Sequence, residues 1–237
     1  MGATIEQIRK QFRRLGDPAI AAHSQRFFKT GKGQYGEGDK FLGIRVPVIR
    51  QWAKTYRRIS LDEALGILPS PFHEERQLAL FILVAHYAAA ATPGEQAAIY
   101  RAYLNHTDHI NNWDLVDCSA EHVVGAHLFP RSRKPLYRLV RAKNLWRRRI
   151  AIMATFHFLK RGDFADTLAL AEELLEDKED LIHKAAGWML REVGKRERSV
   201  AVRFLDRHYR KMPRTMLRYA IEKFPERERQ AFLRGKR

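Results

Sequence analysis

Three short stretches set tryptophans beside charged side chains at spacings that core burial does not require. In Asn111–Asp117, NNWDLVD, Trp113 and Asp117 stand four residues apart and share a face if the stretch is helical. Asp114 falls one residue further round from Trp113, near a helix start, where a carboxylate complements the helix dipole. In Asn144–Arg149, NLWRRR, an arginine triplet runs into the apolar IAIMATFHFL. Arg149 is placed at the edge of a groove, ahead of a buried stripe through Ile150, Met153 and Ala154, and Trp146 in the core. In Lys184–Glu192, KAAGWMLRE, Trp188 shares a face with Lys184, four back, and Arg191, three ahead. Gly187 costs a helix about 1 kcal/mol relative to alanine, so either another group approaches that backbone closely or two helices meet there. The chemistry open to such groups is electrostatic. On spacing alone the alternative stays open that Trp113 is core, Asp117 a solvated acid and Arg149 a surface cation.

Other chemistries find no support. His73, His86, His106, His109, His122, His127 and His157 are scattered, and no HExxH is present. His122 and His127, five apart, are wrong for two ligands on one helix face. There is no phosphate-binding GxxxxGK[ST], and the glycines of 31–43 precede no βαβ unit. The single cysteine, Cys118, excludes an internal disulfide and a cysteine-rich zinc site. It is expected to rest against a neighbouring helix and not to act as a nucleophile. No metal or organic cofactor is implied.

The elements that must hold these residues read as helices nearly throughout. Ile5, Ile8, Phe12 and Leu15 carry helical spacing over Thr4–Leu15. Asp17-Pro18 opens a helix to about Lys29, with Asp17 as N-cap. Residues 31–43, GKGQYGEGDKFLG, hold five glycines and form a loop. Pro47 starts a helix through Tyr56, and Ser60-Leu-Asp-Glu63 is a capping box. A long helix spans Phe72–Ala91, and Thr92-Pro-Gly-Glu95 opens the next, through Asn105. Further helices are expected at about 111–128, 134–142, 145–160, 164–176, 179–194, 197–211, 214–223 and 226–235. No stretch alternates with period two long enough to make a strand. Helix pairs recur roughly every 35–40 residues, the spacing of HEAT-like repeats. The expected fold class is therefore all-α: an α-α superhelix, or solenoid, with a concave basic groove, in a single domain over 1–237.

Charge points to the partner. Forty-four Lys and Arg against 27 Asp and Glu leave a net +17, an excess that self-repels unless an anionic partner offsets it. Nucleic acid is the first candidate and an anionic membrane the second. Residues 128–149 carry nine basic residues and no acid, from Arg131 and Arg133 to Arg147, Arg148 and Arg149. A second basic region runs from Lys195 through Arg203, Arg207, Arg210, Lys211, Arg214 and Arg218. Residues 163–180 are acidic, so a basic face beside an acidic outer helix is expected, presenting one side to phosphates. No apolar run approaches the ~20 residues of a membrane helix. The N-terminal MGATIEQIRKQFRRLGD lacks a signal-peptide core, and Glu6 stands where a myristoylation motif needs Ser or Thr. A cytoplasmic protein is expected.

Together, FLGIRVPVIR (41–50), NNWDLVD (111–117), NLWRRRIAI (144–152) and KAAGWMLREVGK (184–195) resemble the AlkD-like family of bacterial DNA alkylation repair glycosylases. The resemblance runs from about Thr4 to Phe224, with all segments in the family's order. It implies an all-α solenoid of HEAT-like repeats that grips duplex DNA, as a monomer of the bacterial cytosol and nucleoid. The family's catalytic carboxylate falls on Asp117, its two groove-lining tryptophans on Trp113 and Trp188, and its groove arginine on Arg149. A further aromatic falls on Phe27, where some members have Tyr, so a hydroxyl is lacking there. The Gly-rich insert 31–40 also departs from the shortest members. Arg148, Lys184 and Arg191 complete the expected DNA-binding set.

The activity implied is hydrolysis of the N-glycosidic bond of cationic N3- or N7-alkylated purines, 3-methyladenine and 7-methylguanine, in duplex DNA. Alkylation turns the purine into a good leaving group, and its departure builds positive charge on the deoxyribose. Ionised Asp117 would stabilise that charge and hold the attacking water, with Trp113 and Trp188 against the sugar. The family is understood to do this without flipping the base. The competing reading is a non-catalytic HEAT-repeat protein that binds branched or distorted DNA. A scaffold for an acidic protein partner fits the clustered arginines less well.

Overall fold

The structure, a computed structural model, describes residues 4–236; residues 1–3 and 237 of the expected 1–237 domain lie outside the described residues. Among the described residues there is no strand, only an isolated parallel bridge between Lys40 and Phe72. No helix is long and apolar enough to cross a membrane. The chain divides into two compact units, Met1–Ser119 and Ala120–Arg237.

The first unit holds α1 (Ile5–Arg13), α2 (Pro18–Phe27), α3 (Val46–Thr55), α4 (Leu61–Ile67), α5 (His73–Ala89), α6 (Pro93–Asn105) and α7 (Trp113–Asp117). Local chemistry sets their starts. Thr4, Ser60 and Thr92 each close a capping box with Gln7, Glu63 and Glu95, and Asp17 Oδ1 caps α2 through Ala19 N at 2.8 Å. At the centre is α5, buried on every side from His73 to Leu83 and packed against α3, α4, α6 and α7. A helix with no wet face carries its polar opening turn inside with it. Those charges are matched. Glu75 accepts from Arg9 and Arg13 of α1 and from Ser70. Glu74 accepts the backbone N–H groups of Leu42, Gly43 and Ile44 at 2.8–3.2 Å. Gly43 has φ +82°, and any Cβ there would collide with the Asp17 carbonyl. The glycine-rich loop is thereby fastened to α2 on one side and α5 on the other.

The second unit holds α8 (Ala126–Leu128), α9 (Lys134–Leu139), α10 (Leu145–Ala154), α11 (Phe156–Leu159), α12 (Ala165–Glu173), α13 (Asp180–Arg196), α14 (Arg198–His208), α15 (Arg214–Ala220) and α16 (Glu226–Leu233). It begins with a π-helical turn at Glu121–Gly125. The core helix is α13, which meets α10, α12, α14 and α15.

Two expected long helices are broken. The one expected over 111–128 becomes α7, the π-turn and α8, because Ser119 Oγ takes the Leu115 carbonyl at 2.5 Å. The one expected over 145–160 divides at Thr155, whose Oγ1 donates to the Ile152 carbonyl at 2.7 Å. In both places a hydroxyl competes for a helix carbonyl. The all-α, helical-repeat class is as expected, with a spacing that differs by unit. Side-chain pairs between repeats lie 34, 37 and 41 residues apart in the first unit, as in Asp39–His73, Gln77–Asp114 and His73–Asp114. In the second most lie 29–33 apart, as in Arg148–Asp177, Arg133–Asp163, Arg191–Glu222 and Arg133–Asp166. Shorter turns account for the change, down to the single residue Glu197 between α13 and α14.

Gly187 is explained by helix packing: a Cβ there would lie 2.5 Å from the Met216 carbonyl oxygen and 2.6 Å from Tyr219 Cβ of α15. Gly187→Ala should therefore destabilise the protein by about 1–3 kcal/mol through overpacking, read as a lower urea midpoint for unfolding.

Candidate active-site residues and nucleic-acid interface

In the first unit the structure brings Trp113 and Phe27 together. Trp113 is the first residue of α7 and Asp117 the last, both half-buried. Phe27 ends α2 with 57% of its surface exposed. Its ring meets Trp113 edge-on at 6.1 Å, while Trp113 stacks on Phe28 at 5.2 Å. Trp113 is thus neither core nor free: one face is fixed by aromatic neighbours. Asp114 lies in the first turn of α7 as expected, its Oδ1 accepting from Leu115 N.

Beneath this cluster lies a polar network that the sequence reading did not single out. His73, 2% exposed, opens α5. Its Nδ1 is 3.2 Å from Asp39 Oδ2, and its Nε2 is 2.8 Å from Asp114 Oδ2. Arg76 Nη2 donates to Asp39 Oδ1 at 2.5 Å, Asn112 Nδ2 to Asp39 Oδ2 at 3.1 Å, and Gln77 Nε2 to Asp114 Oδ2 at 3.1 Å. Burial alone would push the imidazole down. The charge and hydrogen bond of Asp114, with the bond to Asp39, overcome it against the opposing Arg76 and hold His73 at about 9. Asp39 moves the other way: burial opposes it, yet His73, Arg76 and Asn112 keep its carboxyl below the ordinary range. The sequence signal was present in HEERQ (73–77), five polar residues running directly into LALFILV.

Cys118 donates its thiol to the Leu115 carbonyl at 3.4 Å, and burial followed by Asp114 and Asp117 pushes that thiol well up. A thiol held protonated in this way is a poor nucleophile.

In the second unit Trp188 is half-buried on α13 with its ring 6.0 Å from Phe156, and Trp146 is core, as expected. Arg149 is not the surface cation weighed above: it is 4% exposed, and its Nη1 donates to the Leu181 carbonyl at 2.5 Å. Placed directly before the buried stripe of α10, it is drawn in with that stripe.

The expectation of a basic face beside an acidic outer helix also needs correction, because three arginines of the basic stretch pair with the acidic one. Arg133 pairs with Asp163 at 2.6 Å and with Asp166, Arg141 with Glu173, and Arg148 with Asp177 at 2.6 Å. Arg148 further donates to the Ala142 and Lys143 carbonyls. Lys184 pairs with Asp180 at 2.8 Å, and Arg191 with Glu222. Exposed cations of the stretch include Arg131, Lys134, Arg138 and Lys143.

Comparison with known proteins agrees with the fold. Residues 8–224 match the family described as DNA alkylation repair enzyme. The chain belongs to that family, and DNA is accordingly its substrate class. The fold is similar to that of a predicted DNA alkylation repair enzyme from Enterococcus faecalis, with a TM-score of 0.69 over 89% of this chain and 97% of that one. Identity between the two is 16%, so the likeness is one of fold. No curated protein matches the chain significantly.

The His73 network carries a pH signature. Its folded-state value lies above the ordinary 6.5, so its contribution to stability is complete below pH 6.5 and lost as pH rises through about 9. The thermal midpoint of the wild type should fall across that window, and His73→Gln should flatten the fall.

Proposed function

We propose that this protein is a monofunctional DNA glycosylase, releasing cationic N3- and N7-alkylated purines such as 3-methyladenine and 7-methylguanine from duplex DNA. The observation that carries the reading is α7, which sets a half-exposed indole at one end and a half-exposed carboxylate at the other, in a member of a DNA alkylation repair family. Asp117, as a carboxylate, stabilises the positive charge that develops on the deoxyribose as the base leaves and holds the water that attacks it. Trp113 lies against the sugar and contributes dispersion and cation–π attraction. Exposed Phe27 extends that apolar surface without a hydroxyl. Trp188 and Arg149 serve the same duplex, Trp188 by contact and Arg149 from within the fold. The base stays in the stack, since the reading needs contacts to sugar and backbone only. The two units act as one DNA-binding domain, in a monomer that works at the nucleoid in the bacterial cytosol. Lys184 and Arg191 reach phosphates by exchanging their carboxylate partners for them.

Phosphate anchoring in the second unit falls to exposed cations such as Lys134, Arg138 and Lys143. Arg148 is assigned to the fold instead, since Asp177 and two carbonyls occupy its guanidinium. Arg148→Ala should cost about 1–3 kcal/mol of stability by stripping the Asp177 carboxylate of its partner, while the slope of log Kd against log salt stays unchanged. Arg138→Ala should reduce that slope by about 1 and leave stability unaltered.

The deciding assay is release of 7-methylguanine from a methylated duplex. Asp117→Asn should slow it on the order of 10²–10³-fold while DNA affinity holds. Salt-sensitive binding without release by either protein would replace the enzyme by a binder of branched or distorted DNA.

A further inference from the structure

We propose that His73 is a positioning residue for this site: as an imidazolium it ties the start of α7 to α5 and to the glycine-rich loop, and so fixes Trp113 and Asp117 against the substrate. The inference rests on the excision chemistry proposed above.

Hydrogen-bond geometry requires the charge. Asp39 and Asp114 present carboxylate oxygens to the two ring nitrogens. A carboxylate offers only lone pairs, so each nitrogen must carry a proton, and only the imidazolium carries both. Phe41 and Phe28 stand at 4.7 and 4.9 Å from the ring and 5.0 Å from each other, and this aromatic pair favours a cation beside it. The charged groups that face it are Asp39 from the loop, Asp114 from α7 and Arg76 from its own helix.

From this ring two routes lead to α7. Nε2 holds Asp114, the second residue of the helix. Through Asp39, the network also holds the Asn112 side-chain amide, whose nitrogen donates to Asp39 and whose Oδ1 caps Trp113 N at 2.8 Å. If that amide turned over, the cap would be lost. A five-residue helix cannot hold itself together alone, so these ties decide where α7 lies. A neutral side chain at 73 leaves one carboxylate facing a lone pair, loosening both routes.

The test compares wild type, His73→Gln and His73→Gln/Asp114→Asn as intact proteins. Single-turnover release of 7-methylguanine should fall about 10²-fold in His73→Gln, the scale expected when a reacting group is misplaced. Affinity for the same duplex should stay within about two-fold, since no phosphate contact is touched. Adding Asp114→Asn should recover part of the rate, because no charged carboxylate then faces the amide across that contact. A wild-type rate in His73→Gln, or no recovery in the double variant, overturns the proposal.

Two readouts stand apart from activity. Nitrogen-15 spectra of wild-type histidines at neutral pH should show both ring nitrogens of His73 protonated; a neutral ring overturns the proposal even if the single variant fails to fold. The indole N–H resonance of Trp113 should shift or broaden in His73→Gln, and an unmoved resonance overturns it too. Were the wild type to release no base, the excision reading would fail, while these two signals would still judge the tie between His73 and α7.

Discussion

The first unit depends on the charged opening turn of a helix whose first three turns have no wet face. Helix α5 is buried from His73 to Leu83, so a histidine, two glutamates and an arginine enter an interior where unpaired charges cost several kcal/mol each. Their partners come from several parts of the chain. Glu75 draws in α1, Glu74 fixes residues 42–44, and His73 with Arg76 gathers Asp39 and, through His73, α7. Remove that requirement, and nothing in the aromatic cluster alone would specify where the loop or α7 must lie. Apolar contacts supply adhesion, whereas the directional bonds choose one arrangement among many.

The same balance governs the large positive charge. A net +17 says that cations outnumber acids, not which cations are available. In the second unit consecutive repeats face each other with arginine against carboxylate, and Arg133, Arg141, Arg148, Arg191 and Arg198 all find partners 29–33 residues on. In the linear cluster that looked most basic, three of the nine cations, Arg133, Arg141 and Arg148, are therefore paired with acids. What a polyanion meets is the remainder, scattered on exposed positions such as Lys134 and Arg138.

Local signals were legible in the sequence. The caps at Thr4, Asp17, Ser60 and Thr92 involve partners within a few residues, so their chemistry is written in short strings. The core position of Trp146 could be placed from the apolar pattern. What escaped was long-range: the partners of His73 lie 34 and 41 residues away, and a histidine read alone carries no sign of two carboxylates. The breaks at Ser119 and Thr155 escaped for a related reason, since a mid-helix hydroxyl bends or ends a helix only when its neighbours permit it. Arg149 is drawn inside because the buried stripe of α10 takes in the position directly before its apolar residues.

Two tryptophans of the same resemblance are held by opposite means. Trp188 stands within α13, a helix of 17 residues in which the adjacent Gly187 lets α15 approach to contact distance; its place is set by backbone packing. Trp113 opens a helix of five residues, too short to be rigid in itself, and its place is set by side-chain bonds that include an ionisable ring. Rigidity at that point is therefore conditional on a proton. With a folded-state value of about 9, the ring keeps that proton at neutral pH, and the carboxylate four residues from Trp113 inherits a fixed position from a charge it does not touch.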